Sequence, residues 1–309
     1  SKINMNKAFQ TELTKRMEAA KHMKEEDKLY RYNGLLYPTI MCSPENLKEL
    51  ETFEAREDDI MLAAYPKCGF NWMIGVLHKI VAAATGRSNE NPNNHPKFPP
   101  MLEFLDPAKQ KTLAAAPSPR VVGTHVPPQN FPKSFFEKKT KILVVFRNPK
   151  DTAVSFFHFT NGNPVLPTAE SWDKFFSDFI SGEVPWGSYF DHALAWEEHM
   201  DNPNVMVVTY EYLKENLSEA VQQIASFFNC SLSEEQIQTI TQESTFKAMK
   251  ENSKNSHGPM SNVFFRKGEV GDWKNQFSDA QSQEMDAKFE QFLAGTKLGA
   301  QLQYDVYCK

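Results

Sequence analysis

Short, uniformly apolar runs alternate with stretches of helical periodicity along this chain. The runs at 60–65, 120–125, 141–147 and 205–210 are brief and end in polar, Pro or Gly residues. Runs of that length with no alternation predict strands buried on both faces. Helical periodicity predicts helices over 5–27, 71–84, 148–160, 171–181, 189–200, 214–228, 233–242 and 279–294. Ser43-Pro44, a capping residue before a first-turn Pro, opens a further helix to about Arg56. Asn33-Gly34 breaks the chain, and the Asn- and Pro-rich stretch 85–101 predicts an irregular loop, placed to act as a lid. Strands alternating with helices imply βαβ units: one α/β domain with a central parallel sheet flanked by helices.

Composition narrows the function classes. No run approaches the roughly 20 apolar residues of a membrane helix, and the first residues read as a charged helix, not a signal peptide. Cys42, Cys68, Cys230 and Cys308 are scattered without paired spacing, as expected in a reducing cytoplasm. A net charge of −5 over 309 residues argues against nucleic acid as a partner. Any anion site must therefore be a local cluster of bases.

Sheets of this kind bind ligands beyond the carboxyl ends of their strands. Lys67, His125, Arg147 and Tyr210 stand at the four predicted ends. Around Lys67, Tyr65-Pro66-Lys67-Cys68-Gly69-Phe70-Asn71-Trp72 joins strand to helix. There free N–H groups and the positive end of the helix dipole converge, giving a P-loop-like phosphate cradle. An ordinary βα turn with a surface Lys and a core Trp fits the pattern equally well. Arg147 and Ser155 bracket a capped helix start and suit a shared phosphate, or else a structural ion pair and a local backbone bond. Phe265-Arg266-Lys267-Gly268-Glu269-Val270-Gly271-Asp272-Trp273-Lys274 is a second anion-binding candidate, or a solvated basic turn. His125 titrates near working pH and is either a general base or structural. The chain has no Walker A motif and no metal-ligand spacing, so neither a metal nor an NTPase is expected.

These segments together resemble the cytosolic sulfotransferase family over nearly the whole chain, most closely its 6B branch. Tyr65–Trp72 is similar to the family's YPKSGTTW loop, Arg147–Ser155 to RNPKDxxVS, and Arg266–Lys274 to RKGxxGDWK. The resemblance implies 3′-phosphoadenosine-5′-phosphosulfate (PAPS) as co-substrate, PAP as product and no metal. It implies a small hydroxyl acceptor: a phenol first, including iodothyronine-like phenols such as thyroxine, then an alcohol or steroid. Lys67, Cys68, Gly69, Phe70, Asn71 and Trp72 would hold the phosphosulfate end. Arg147, Ser155, Arg266, Lys267 and Gly268 would hold the 3′-phosphate, and Phe265 would also contact the cofactor. Tyr210, Ser244 and Phe246 would meet the adenine, with Trp72 and Phe246 sandwiching it. His125 and Lys67 would be catalytic. Residues 1–43 would form an N-terminal helix and acceptor-side segment, with 85–101 and 250–264 as loops over the site. The aromatic stretches 35–37, 98–104 and 156–159 are candidates for the acceptor wall.

Departures from the family pattern carry their own expectations. Cys68, Phe70 and Asn71 replace Ser, Thr and Thr, and Gly123 stands where the family commonly has Lys. A binding protein with weak or lost catalysis is therefore the rival reading. Beside Lys67 at a helix N-terminus, Cys68 is expected to have a lowered thiol pKa. The family's dimer segment is degenerate over 274–284, so a monomer or weak homodimer is expected.

Overall fold

The structure, a computed structural model, describes residues 2–87, 101–257 and 266–309. Its N-terminal part holds α1 (Lys2–Lys21), the strands β1 (Leu29–Tyr32) and β2 (Leu35–Pro38), and α2 (Pro44–Glu51). The sheet region follows: β3 (Ile60–Ala64), α3 (Phe70–Thr85), α4 (Pro107–Ala114), β4 (Val121–Thr124), α5 (Ser134–Glu137), β5 (Ile142–Phe146) and α6 (Pro149–Gly162). Next come α7 (Trp172–Ser181), α8 (Tyr189–Glu197), β6 (Val205–Thr209), α9 (Tyr210–Glu215), α10 (Leu217–Phe227), α11 (Glu234–Glu243) and α12 (Phe246–His257). Beyond these lie α13 (Asp279–Phe292), α14 (Lys297–Gln301) and α15 (Tyr304–Tyr307).

The four apolar runs pair as a parallel sheet in the order β4-β3-β5-β6. Every residue of β3, β4 and β5 is buried, which explains why these strands lack polar alternation. From β3 the chain crosses to β4 on one side, then returns to place β5 on the other. The switch point thus falls between β3 and β5, where a crevice opens beyond the strand ends. Lys67 leaves β3 and Arg147 leaves β5 on either side of it. Helices flank this single α/β domain, with α3 against α10, α11 and α12, and α6 against α7 and α13.

Several local expectations need correction. The first helix ends at Lys21, and Asn33-Gly34 is a hairpin turn, pairing β1 with β2. Both turn residues have positive φ, 49° and 84°, as a two-residue turn matching strand twist requires. Residues 250–257 belong to α12 and are not loop. The helix expected over 214–228 is interrupted at Asn216. Tyr210 opens α9 directly after β6. Most of the loop expected over 85–101 lies outside the described residues.

A buried ion pair fixes the start of β4. Arg120 donates from Nε to Asp59 at 2.8 Å and from Nη2 at 2.6 Å, and both side chains are almost fully buried. Remaining donors reach the Leu113 and Glu54 carbonyls. Removing one partner strands a buried charge, so Asp59→Ala should cost about 3–5 kcal/mol in urea unfolding. An apolar double replacement, Asp59→Leu with Arg120→Met, should recover most of that loss.

Candidate active site

The loop after β3 turns tightly, with Cys68 N–H donating to the Tyr65 carbonyl. Lys67 has φ 70°, a left-handed conformation uncommon outside Gly. Gly69 follows at φ 100° as N-cap of α3 and supplies no side-chain cap. The first-turn N–H groups of α3 thus point past the loop with no acceptor from the preceding turn. A Cβ on Gly69 would lie 3.0 Å from Tyr210, so only Gly allows this close approach.

Basic side chains converge on the same crevice. Arg147 is buried and lies over the Tyr210 ring at 4.2 Å. It donates to the Lys67 and Glu269 carbonyls at 3.3 and 3.2 Å, while its Nε has no hydrogen-bond partner. Lys67 is half-buried, its Nζ 4.5 Å from the Phe159 ring centre. Burial first, then the charges of Arg147 and Arg266, pull its pKa down from 10.5 to about 7. Arg266 and Lys267 both contact Asp272 at 3.1 Å. Their loop is tied to α6 by Asp151, which accepts from Gly271 N–H and Trp273 N–H. Ser155 is half-buried two turns along α6, and Gly268 accepts at its carbonyl from Tyr210 and Lys214. Phe265 lies outside the described residues.

The residues expected at the adenine lie together. Trp72 donates from Nε1 to the Ser244 carbonyl at 2.6 Å, and Ser244 Oγ is buried without a partner. Trp72 and Phe246 cross at 90° with centroids 6.2 Å apart. Trp72 is held by its own hydrogen bond, and Phe246 packs onto Gly268.

At the end of β4, His125 Nδ1 lies 2.7 Å from the Ala64 carbonyl. A carbonyl only accepts, so Nδ1 carries the proton and Nε2 keeps its lone pair. Burial, with the Lys67 charge beside it, lowers the His125 pKa to about 4 despite the opposing Ala64 bond. The ring stands between Phe70 and Trp186, each 5.0 Å away and edge-on. Neither Trp186 nor Glu103 is singled out by sequence patterning. Glu103 is wholly buried and accepts from Thr124 Oγ1 (2.7 Å), His125 N–H (3.0 Å) and Trp186 Nε1 (2.8 Å). A lone acid inside the apolar run Met101-Leu102-Glu103-Phe104-Leu105 was the available signal. Trp186 adopts φ 66°, a further strained residue at this site. Of the aromatic stretches, Tyr37 and Phe104 pack on Trp186, whereas Phe156 is core, against Tyr65 and Phe175. Phe98 lies outside the described residues.

Cys68 departs from expectation. Its thiol is fully buried, and desolvation pushes its pKa up to about 12 although Thr152 and Arg147 pull the other way. Loss of water outweighs the helix terminus. Half-buried Cys230 is the most accessible thiol. Timed iodoacetamide labelling at neutral pH, mapped by mass spectrometry, should therefore modify Cys230 well before Cys68.

Among the described residues, no group of three or more His, Cys, Asp or Glu could hold a metal ion. Nor is any helix there long and apolar enough to cross a membrane. The family model described as a sulfotransferase domain matches residues 57–297. Sulfotransferase 6B1 of Danio rerio is 59% identical over 299 residues, covering 97% of this chain and all of that one. Sulfotransferase 6B1 of Homo sapiens is 48% identical over 293 residues, 95% of either chain. Mouse sulfotransferase SULT7A1, solved in complex with PAP, superposes with a TM-score of 0.79 at 33% identity. That match covers 90% of this chain and 100% of the mouse chain. The family-model match and these relatives make the chain a member of the sulfotransferase family, on its 6B branch, in keeping with its parallel sheet and the Lys67 and Arg147 strand ends.

Proposed function

We propose that this chain moves the sulfuryl group of PAPS to the hydroxyl of a small apolar acceptor in the cytoplasm, a phenol before an alcohol or steroid. The observation that carries this reading is a base of defined tautomer, His125, set beside a cation-lined crevice that still has unpaired donors. PAPS supplies an activated sulfuryl group and, in its bridging phosphate oxygen, a leaving group whose charge must be met. Arg147 Nε and Ser244 Oγ are buried polar atoms awaiting partners, which fits a phosphate and an adenine edge there. Arg147, Ser155, Arg266, Lys267 and Gly268 would bind the 3′-phosphate, each charge-assisted hydrogen bond worth roughly 1.5–3 kcal/mol. Trp72, Tyr210, Ser244 and Phe246 would take the adenine. Lys67 and the first-turn N–H groups at Gly69, Phe70 and Asn71 would meet negative charge on the leaving oxygen. Nε2 of His125 would accept the proton of the acceptor hydroxyl, an effect typically worth about 10²–10⁴-fold. Cys68 would contribute through its backbone.

Turnover assays over a panel of phenols, alcohols and steroids test this reading. His125→Ala should abolish turnover while leaving PAP affinity within a few fold. PAP binding without turnover of any acceptor by the unaltered protein would support the rival, a binding protein with lost catalysis.

The two shifted groups set a pH window. His125 acts as base only when neutral, so activity should fall as pH drops toward about 4. Lys67 contributes as a cation, and in the free protein its charge is lost as pH rises through about 7. A bound anion favours the ammonium, so kcat/KM for PAPS should decline above about 7 while kcat holds to higher pH. Lys67→Arg should remove that upper limb.

We also infer a monomer or weak homodimer. Phe277, in the degenerate segment, is engaged within its own chain by Trp172, Phe176 and Trp273. Sedimentation at micromolar concentration should give the monomer mass or a concentration-dependent mixture; a tight dimer would contradict it.

A further inference from the structure

Gly123 is not an open position. A Cβ built on it would lie 2.4 Å from Phe70 Cζ, 2.6 Å from Cε2 and 3.3 Å from the Leu62 carbonyl. The Phe70 ring already fills the volume that any side chain at 123 would need. The same ring meets the His125 imidazole at 5.0 Å and 62°. Trp186 also meets the imidazole, at 5.0 Å and 81°, and is itself held by Glu103. The imidazole is thus anchored at Nδ1 and walled by two aromatic rings. One wall belongs to the first residue of the helix that opens the anion cradle.

We propose that Phe70 is a positioning residue for His125 and that Gly123 is the space that admits it, the two acting as one interlocked pair. A ring at 70 needs no side chain at 123, and a side chain at 123 would push the ring off the imidazole. The pair also makes the environment of the base apolar: the position beside it carries a phenyl edge where an ammonium could otherwise reach. Lys67 is then the cation that faces His125 across the loop. An acceptor hydroxyl on an uncharged ring suits this setting, because a charged group beside it would lose water without gaining a partner. The role of Phe70 rests on His125 being the base, but the packing that it predicts does not.

Three variants in the full chain test the pair: Phe70→Ala, Gly123→Ala and the two combined. The readouts are Tm, the His125 pKa in ligand-free protein by imidazole nitrogen NMR, and kcat against KM. Phe70→Ala should let water reach the ring and raise the His125 pKa from about 4 toward its ordinary 6.5. It should lower kcat roughly 10–100-fold with little change in KM for PAPS. Gly123→Ala should lower Tm through the clash with Phe70, and adding it to Phe70→Ala should cost no further Tm. The combined variant should keep the raised pKa and the low kcat, because the wall is gone. An unchanged kcat in Phe70→Ala and in the combined variant would overturn the positioning role, since the ring would then only fill space. Additive Tm effects, or an unchanged His125 pKa in Phe70→Ala, would overturn the interlock itself. If His125→Ala retained full turnover, the assignment of the base would fail, while the Tm and NMR results would still decide the packing.

Discussion

Crowding of positive charge at the switch point of the sheet is the constraint on which this structure depends. Lys67 and Arg147 leave adjacent strands near Arg266, and burial together with those two charges lowers the affinity of the Lys67 ammonium for its proton. Like charges held close in a poor dielectric repel, and an anion placed among them relieves the repulsion. Much of the nearby architecture manages the same charge. Asp272 holds Arg266 and Lys267, and Asp151 holds the backbone of their loop against α6. Lys150, one residue before Asp151, is buried and pairs with Asp286 at 2.9 Å, tying α6 to α13. The chain as a whole is acidic, so the cluster is a local construction maintained by specific partners.

The reacting side is built on the opposite principle. Around His125 the structure excludes water, surrounding the ring with aromatic edges and setting Glu103 against its backbone N–H. Glu103 accepts from the backbone of His125, the hydroxyl of Thr124 and the indole of Trp186, so one buried acid fixes the strand end and one wall together. Burial pushes the Glu103 pKa up, and the bonds it accepts from Thr124, His125 and Trp186 oppose that rise. The loop that carries Trp186 is strained at that residue and pinned by its N–H to the Leu36 carbonyl, which couples the hairpin to the surroundings of His125. Cation-rich on one side and dry on the other, the crevice suits transfer of a charged group to an uncharged hydroxyl.

Features with local signals were legible in the sequence. A buried strand, a Gly turn and a helix start are each encoded within a few residues, so the Lys67 loop, the Asn148 cap of α6 and the strand ends could be placed. Features that arise only when distant segments meet could not. Glu103 and Trp186 reach His125 from separate segments, and Phe70 fills the Gly123 space from a neighbouring strand–helix turn. The perpendicular setting of Trp72 and Phe246 depends on a carbonyl at residue 244. Cys68 shows the limit of local electrostatics most directly: a helix terminus and a Lys favour thiolate, but complete burial reverses the result. The Asn33-Gly34 hairpin is the reverse case, a strong local signal whose turn geometry was there to be read.

The central claim is that the basic cluster exists to read a 3′-phosphate. Calorimetric titration of the unaltered protein with PAP and with AMP, which differs from it only in lacking that phosphate, tests it directly. With several charge-assisted bonds at roughly 1.5–3 kcal/mol each, PAP should bind at least about 100-fold more tightly, and the difference should shrink as salt is raised. Equal affinities for PAP and AMP would contradict this reading, because Arg147, Ser155, Arg266 and Lys267 would then be holding the fold and not the ligand.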